Sequence, residues 1–256
     1  MKKMRVLKTG ANTAGFNMAL DEAILAQIAE GKSPSSLRFY SWSPPACSIG
    51  YFQDLGEELD LERCQKLGIN YVRRMTGGGA VFHENEVTYS FFVPATDGVL
   101  PLDMLESYKA VSLGIIKGLG KLGLEIKFES LNDLCCQGKK ISGNAQTRKK
   151  GVILQHGTIL INIDVEKMFS VLLVPNEKIR DKMISNVKER VTSVENCLGR
   201  SISNEEIEKA LIKGFKEAFP EFQFYLGEAT KEELTLANKL AKEKYKSDEW
   251  NFRRNC

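Results

Sequence analysis

The 256-residue sequence predicts a single α/β domain that ends in helices. Two observations predict it. Short runs of aromatic and β-branched residues, bounded by proline or glycine, alternate with amphipathic segments over the first two thirds of the chain, and the last third carries helical periodicity. No internal repeat, low-complexity tract or obvious linker divides the chain, although a strand-rich front and a helical tail also leave two lobes open. At 43% hydrophobic residues the chain can bury a real core.

The apolar positions Met18, Leu20, Ile24, Leu25 and Ile28 follow helical spacing and predict a helix over 16–29, with Asn17 as its cap. SLRFYSW and ACSIGYF read as two adjacent strands of a β-hairpin around Pro44-Pro45. A helix over 57–67 closes on Gly68, whose missing Cβ suits a left-handed cap, and INYVRRM resumes a strand. VTYSFFVP is a further strand, stopped by Pro94. A long amphipathic helix over 104–122 precedes the strands LEIKFE, DLCCQGKKIS and GVILQHGTILINI. VEKMFSVL, NEEIEKALIKGFKEAF and KEELTLANKLAKEKY complete the helical portion, about 165–256, with Asn204 capping the second of them.

Thirty-six basic residues against 33 acidic ones leave a net charge of +3, short of the footprint of a dedicated nucleic-acid binder. Arg148, Lys149 and Lys150 form the tightest basic cluster and read as a solvated turn. The basic start MKKMRVLKTG lacks the apolar stretch of a signal peptide, and no segment approaches membrane-spanning length. A cytoplasmic protein without a membrane partner is expected. Six cysteines (Cys47, Cys64, Cys135, Cys136, Cys197 and Cys256) show neither disulfide density nor CxxC spacing, and His83 and His156 are too few for a zinc site.

Two segments carry chemistry. Arg73-Arg74-Met75-Thr76-Gly77-Gly78-Gly79-Ala80 joins two predicted strands, and its glycines free the backbone to approach a ligand. Amides in such a turn can form an anion nest beside a guanidinium, yet the loop matches neither GxxxxGK[ST] nor GxGxxG, and a plain hairpin turn stays open. Gly138-Lys139-Lys140-Ile141-Ser142-Gly143-Asn144-Ala145 places two lysines in a strand, where alternation sends neighbours to opposite faces. One lysine is solvated and the other is free to enter a cleft, a solvent-facing pair being the alternative.

In order along the chain, FNMALDEA, RFYSW, SIGYFQ, RRMTGGGAVFHE, NDL, GKKISGNAQTRKKGVILQHGTILIN and SDEWN resemble the lipoate-protein ligase and octanoyltransferase family. The resemblance implies a mixed β-sheet flanked by helices, the catalytic fold shared with biotin synthetases and class II aminoacyl-tRNA synthetases. It implies attachment of lipoate or octanoate to a lysine of a lipoyl carrier, the E2 subunit of a 2-oxoacid dehydrogenase or the glycine cleavage H protein. A ligase would use ATP and magnesium to form an acyl-adenylate. An octanoyltransferase would take the group from acyl carrier protein through a cysteine.

Gln155, not cysteine, precedes the HG of QHGTILIN, and the chain runs directly from Phe128 to Gly138 where another transferase branch inserts a cysteine-bearing loop. NDL resembles the ligases, whereas AQTRKKGVILQHG resembles the cysteine transferases. The ligase is the main expectation, with the octanoyltransferase and a non-catalytic acyl or carrier binder as alternatives. Because SDEWN closes the ligase catalytic domain and lies six residues from the end, residues 1–256 are expected to form one catalytic domain without the accessory domain, which a separate subunit would supply.

By this resemblance Lys140 orients the acyl carboxylate, and Asp133 binds magnesium or helps deprotonate the incoming lysine. Arg73, Arg74, Gly77, Gly78, Gly79, Asn132 and Gly143 shape the acyl and phosphate site. His83 supports the loop or is simply structural, and His156 braces the lysine strand. Cys135 and Cys136 are the alternative nucleophiles, though apolar strand positions suit buried cysteine equally well.

Overall fold

The computed structural model describes residues 1–129, 131–174 and 177–253. Its strands are β1 (Lys2–Asn12), β2 (Ser36–Trp42), β3 (Ala46–Ile49), β4 (Asn70–Arg73), β5 (Val81–His83), β6 (Glu86–Pro94), β7 (Ile126–Glu129), β8 (Asp133–Cys136), β9 (Lys139–Lys149), β10 (Val152–Leu160) and β11 (Phe222–Gly227). Its helices are α1 (Ala14–Ala29), α2 (Leu55–Glu58), α3 (Leu61–Lys66), α4 (Met104–Gly120), α5 (Val165–Val171), α6 (Glu177–Arg190), α7 (Val194–Leu198), α8 (Asn204–Ala218), α9 (Lys231–Leu240) and α10 (Asp248–Asn251). An eight-stranded mixed sheet runs β11-β1-β2-β6-β10-β9-β8-β7, and a three-stranded sheet runs β4-β3-β5.

Strand alternation divides the core. Leu37, Phe39, Tyr89, Phe91 and Ile153 pack beneath α4 and α8, with Val111, Ile115, Leu211 and Phe215. Tyr40, Trp42, Phe92 and Leu154 point the other way, against Leu20 and Ile24 of α1 and Ala237 of α9. Helix α1 is buried on nearly every side because it lies between the sheet and α9, so its polar residues must find partners inside. Helices α4 and α8 approach closely through glycine: a Cβ on Gly214 would lie 2.2 Å from the Gly114 oxygen.

Several local expectations change. Beyond Trp42 the prolines turn the chain out of the large sheet, so β2 pairs with β1 and β6 while β3 joins β4 and β5, and no β2–β3 hairpin forms. The helix expected over 57–67 is two short helices, because Leu59 is extended and Asp60 caps a second start by accepting from the Arg63 amide. DLCCQGKKIS folds as a hairpin between β8 and β9. Gln137 and Gly138 both take positive φ, the conformation a two-residue turn needs. Asn17 lies inside α1, which begins at Ala14, and Ser203 rather than Asn204 caps α8. The unanticipated β1 and β11 pair in parallel at the sheet edge, so the helical portion also contributes a strand. Among the described residues no helix is long and apolar enough to cross a membrane.

Candidate active site

The two arginines at the end of β4 separate. The Arg73 guanidinium, fully buried, donates to six backbone carbonyls, those of Gly50, Tyr51, Gln53, Trp250, Asn251 and Arg253. It ties the segment after β3 to α10 and does not reach the site, which corrects the expectation that it contacts the ligand. Arg74 turns the other way. Its Nη1 donates to the Ser48 carbonyl and hydroxyl, and its Nη2 to the carbonyls of Gly77 and Gly79 at 2.8 Å each. Burial pushes its pKa down to about 10.

With the Gly77 and Gly79 carbonyls drawn to Arg74, the amides of Gly78 and Ala80, which share those trans peptide planes, point away from the guanidinium. Gly78 sits at φ +98°, and a Cβ on Gly50 would lie 1.9 Å from its carbonyl oxygen. Only glycine fits at both positions.

The lysine strand supplies a cation on the same side. Lys139 is exposed, whereas Lys140 turns to the cavity and places its Nζ 2.8 Å from Asp133 Oδ1. Asn132 and Asn144 bond each other's backbone carbonyls through their side-chain amides, and Tyr89 donates to Asn144 Oδ1 at 2.7 Å. A Cβ on Gly143 would lie 3.0 Å from Lys140 Nζ, so glycine there leaves room for the lysine.

Both histidines belong to buried relays. His83 Nδ1 is 2.7 Å from Glu86 Oε1, and because a carboxylate only accepts, the ring donates there and receives the Ser48 hydroxyl at Nε2, also at 2.7 Å. Trp42 stacks on the His83 ring at 4.0 Å. His156 Nε2 lies 2.7 Å from the Thr76 hydroxyl, and its Nδ1 faces Asp21 at 3.7 Å. Burial holds His156 below the usual histidine range despite that neighbour, so the ring is neutral near pH 7. Burial would raise the Asp21 pKa, but the Arg38 guanidinium at 2.6 Å and hydrogen bonds including Ser90's outweigh it and hold it below the usual carboxylate range.

These side chains surround a cavity of about 330 Å³. Arg74, Gly77, Gly78, Gly79, His83, Asn132, Lys140, Gly143 and His156, all anticipated from the sequence, line it. Met18, Trp42, Val81, Phe82, Met168 and Val191 supply apolar wall. A cavity with apolar wall, the Lys140 ammonium and the Arg74 guanidinium, the latter spent on backbone carbonyls, suits a short aliphatic chain carrying a carboxylate.

Cys135 and Cys136 do not line the cavity. Burial, with Glu129 adding to it, pushes the Cys135 thiol up to about 11, and burial with Cys197 beside it pushes Cys136 up to about 12. Both are therefore protonated at neutral pH, the opposite of an activated nucleophile. Among the described residues no three His, Cys, Asp or Glu side chains gather as a metal site. Asp133 is not among the residues that line the cavity and reaches it through Lys140, yet its carboxylate is partly exposed beside that lysine, and magnesium, which binds through one or two carboxylates with water and phosphate, would be held there.

Sequence reasoning missed Ser48 of β3 in the cavity wall and the layer behind it: Asn17 and Asp21 of α1, Arg38 of β2 and Glu86 of β6. Polar residues at Asn17 and Asp21, at the i, i+4 spacing of one helix face among buried apolar residues, were the available signal.

The family model described as "Lipoyl protein ligase A/B catalytic domain" matches residues 13–216. The octanoyltransferase LipM of Kyrpidia tusciae is 40% identical over 276 aligned positions, covering 99% of this chain and 100% of that protein. Among solved structures, the chain resembles a bi-partite lipoate protein ligase from Thermoplasma acidophilum, described with its E2 lipoyl domain. The TM-score is 0.89 at 33% identity, covering 100% of this chain and 99% of that one. A lipoate-protein ligase A bound with ATP gives a TM-score of 0.82 at 30% identity, with 98% of each chain covered. The chain belongs to the lipoyl protein ligase A/B catalytic-domain family.

Proposed function

We propose that this chain attaches lipoate or octanoate to a lysine of a lipoyl carrier domain, and that it draws the acyl group from an adenylate made from the free acid and ATP. The observation carrying this is a cavity with a fixed lysine and a loop of backbone donors, but no cysteine among its described lining residues. An adenylate route needs charge stabilisation and no protein nucleophile.

In this mechanism the acyl chain lies along Trp42, Val81 and Phe82, and its carboxylate meets the Lys140 ammonium. Lys140 neutralises charge as the carboxylate oxygen attacks the α-phosphorus of ATP and pyrophosphate leaves. The carrier lysine amine then attacks the acyl carbonyl, AMP departs, and Asp133, already bonded to Lys140, accepts the amine proton. Preorganised donors of this kind contribute about 3–4 kcal/mol to a transition state. Arg74 acts indirectly: it fixes the Gly77 and Gly79 carbonyls, so the loop amides face the phosphate. In the alternative role, Asp133 would hold magnesium, which would offset phosphate charge, and the amine proton would pass to solvent.

The Thermoplasma ligase is bi-partite and spans the same length as this chain. That supports reading residues 1–256 as one catalytic domain partnered by a separate accessory subunit. Its description with an E2 lipoyl domain supports an E2 carrier here.

The second reading is octanoyl transfer from acyl carrier protein to the same lysine. The LipM relative's 40% identity favours it, and exceeds the 33% identity to the ligase. Against it, the LipM alignment spans 276 positions while this chain has 256 residues, so LipM carries residues this chain lacks. Here β7 passes to β8 through residues 130–132 alone.

Isotope exchange between pyrophosphate and ATP discriminates the two. Exchange that requires lipoate, and that survives Cys135→Ser with Cys136→Ser, is expected of the ligase. No exchange with or without the accessory subunit, alongside octanoyl transfer from acyl carrier protein, would establish the second reading instead.

A further inference from the structure

A second cavity lies behind the glycine loop. It measures about 320 Å³ against about 330 Å³ for the active cavity, so by volume a ligand that fits one fits the other. Leu25 and Ala26 of α1, Leu236 and Leu240 of α9, and Met75 form an apolar lining. Arg74 lines the first cavity and Met75 the second, so the segment after β4 borders both.

The rim of this second cavity is cationic. Lys149 and Lys150, at the turn between β9 and β10, stand beside Glu22. Glu22 is already engaged, accepting from Lys244 at 2.6 Å and from the Tyr245 hydroxyl at 2.6 Å. Among the described residues no carboxylate lies within ion-pair distance of Lys149 or Lys150; Lys149 instead lies over the Tyr51 ring at 4.9 Å. Burial and the neighbouring charge of Lys244 hold Lys149 below its usual range. An apolar pocket with an unpaired ammonium at its rim matches an amphiphilic monoanion.

We infer that this cavity binds a medium-chain carboxylate, with its chain against Met75, Leu236 and Leu240 and its carboxylate on Lys149. The choice of carboxylate over other amphiphilic anions rests on the proposed acyl substrate; the cavity and its charge do not. Because Met75 lines this cavity and its neighbour Arg74 lines the active one, a ligand here bears on the segment that leads into the glycine loop.

Carbon-13 carboxyl-labelled octanoate, followed by NMR on the full chain, tests this. Two bound signals are expected. Leu240→Trp, which fills the second cavity, removes one of them, and Val187→Trp, in the wall of the active cavity, removes the other. Lys149→Met keeps the rim volume, removes the charge and weakens the Leu240-sensitive signal roughly tenfold or more, as loss of a charge-assisted bond requires. This variant keeps the test decisive should Leu240→Trp fail to fold. Only a Val187-sensitive signal, or two signals indifferent to Lys149→Met, would overturn the inference. Only a Leu240-sensitive signal would leave it standing and instead contradict acyl binding in the active cavity.

Discussion

Asp21 connects a fully buried guanidinium, that of Arg38, to the glycine loop. Its carboxylate accepts from Arg38 and Ser90 and faces His156, which in turn meets Thr76 two residues before Gly78. Asp21→Asn strands a fully buried guanidinium and is expected to cost about 3–5 kcal/mol in urea denaturation. The same pair sets the acid side of stability. His156 is held neutral, so as pH falls below about 6.5 the unfolded chain binds a proton that the native chain refuses, and stability drops. The depressed Asp21 contributes stability above about pH 4 that is lost as pH falls through its lower folded value. Urea midpoints between pH 7 and pH 5 should therefore decline, and His156→Gln should flatten that decline.

At the scale of elements, the close α4–α8 crossing makes a sharp test. Gly214→Ala drives a methyl into the Gly114 carbonyl and the Gly118 amide, each 2.2 Å away, and overpacking of this kind costs about 1–3 kcal/mol. Thermal melting should register it. Arg73 is the second element-scale device. Arg73→Met frees six carbonyls and is expected to raise hydrogen exchange across 247–253 before it alters the cavity, whose loop is held by Arg74.

For the molecule as a whole, the sequence made the cavity more legible than its support. Periodicity located α1, α4, α8 and α9, and strand alternation already separated Lys140 from Lys139. It could not tell Arg73 from Arg74, because the two are adjacent at the end of one strand and the carbonyls that engage the first come from the segment after β3 and from 250–253, far along the chain. Nor could it find the Asp21, Arg38 and His156 relay, whose members are distant in sequence and meet only when α1 settles on the sheet. The hairpin expected around Pro44-Pro45 failed for a similar reason: local turn chemistry marks a reversal of direction and does not name the sheet the chain enters next.

Intact-mass measurement of an apo lipoyl domain bears most directly on acyl attachment through Lys140. The domain is incubated with this protein, free lipoate, ATP and magnesium, with and without an accessory subunit. One lipoyl adduct per domain is expected from the wild type and from the Cys135→Ser, Cys136→Ser variant. Lys140→Ala should slow its appearance by about two to three powers of ten. No adduct under either condition, or an undiminished rate in Lys140→Ala, would contradict the mechanism.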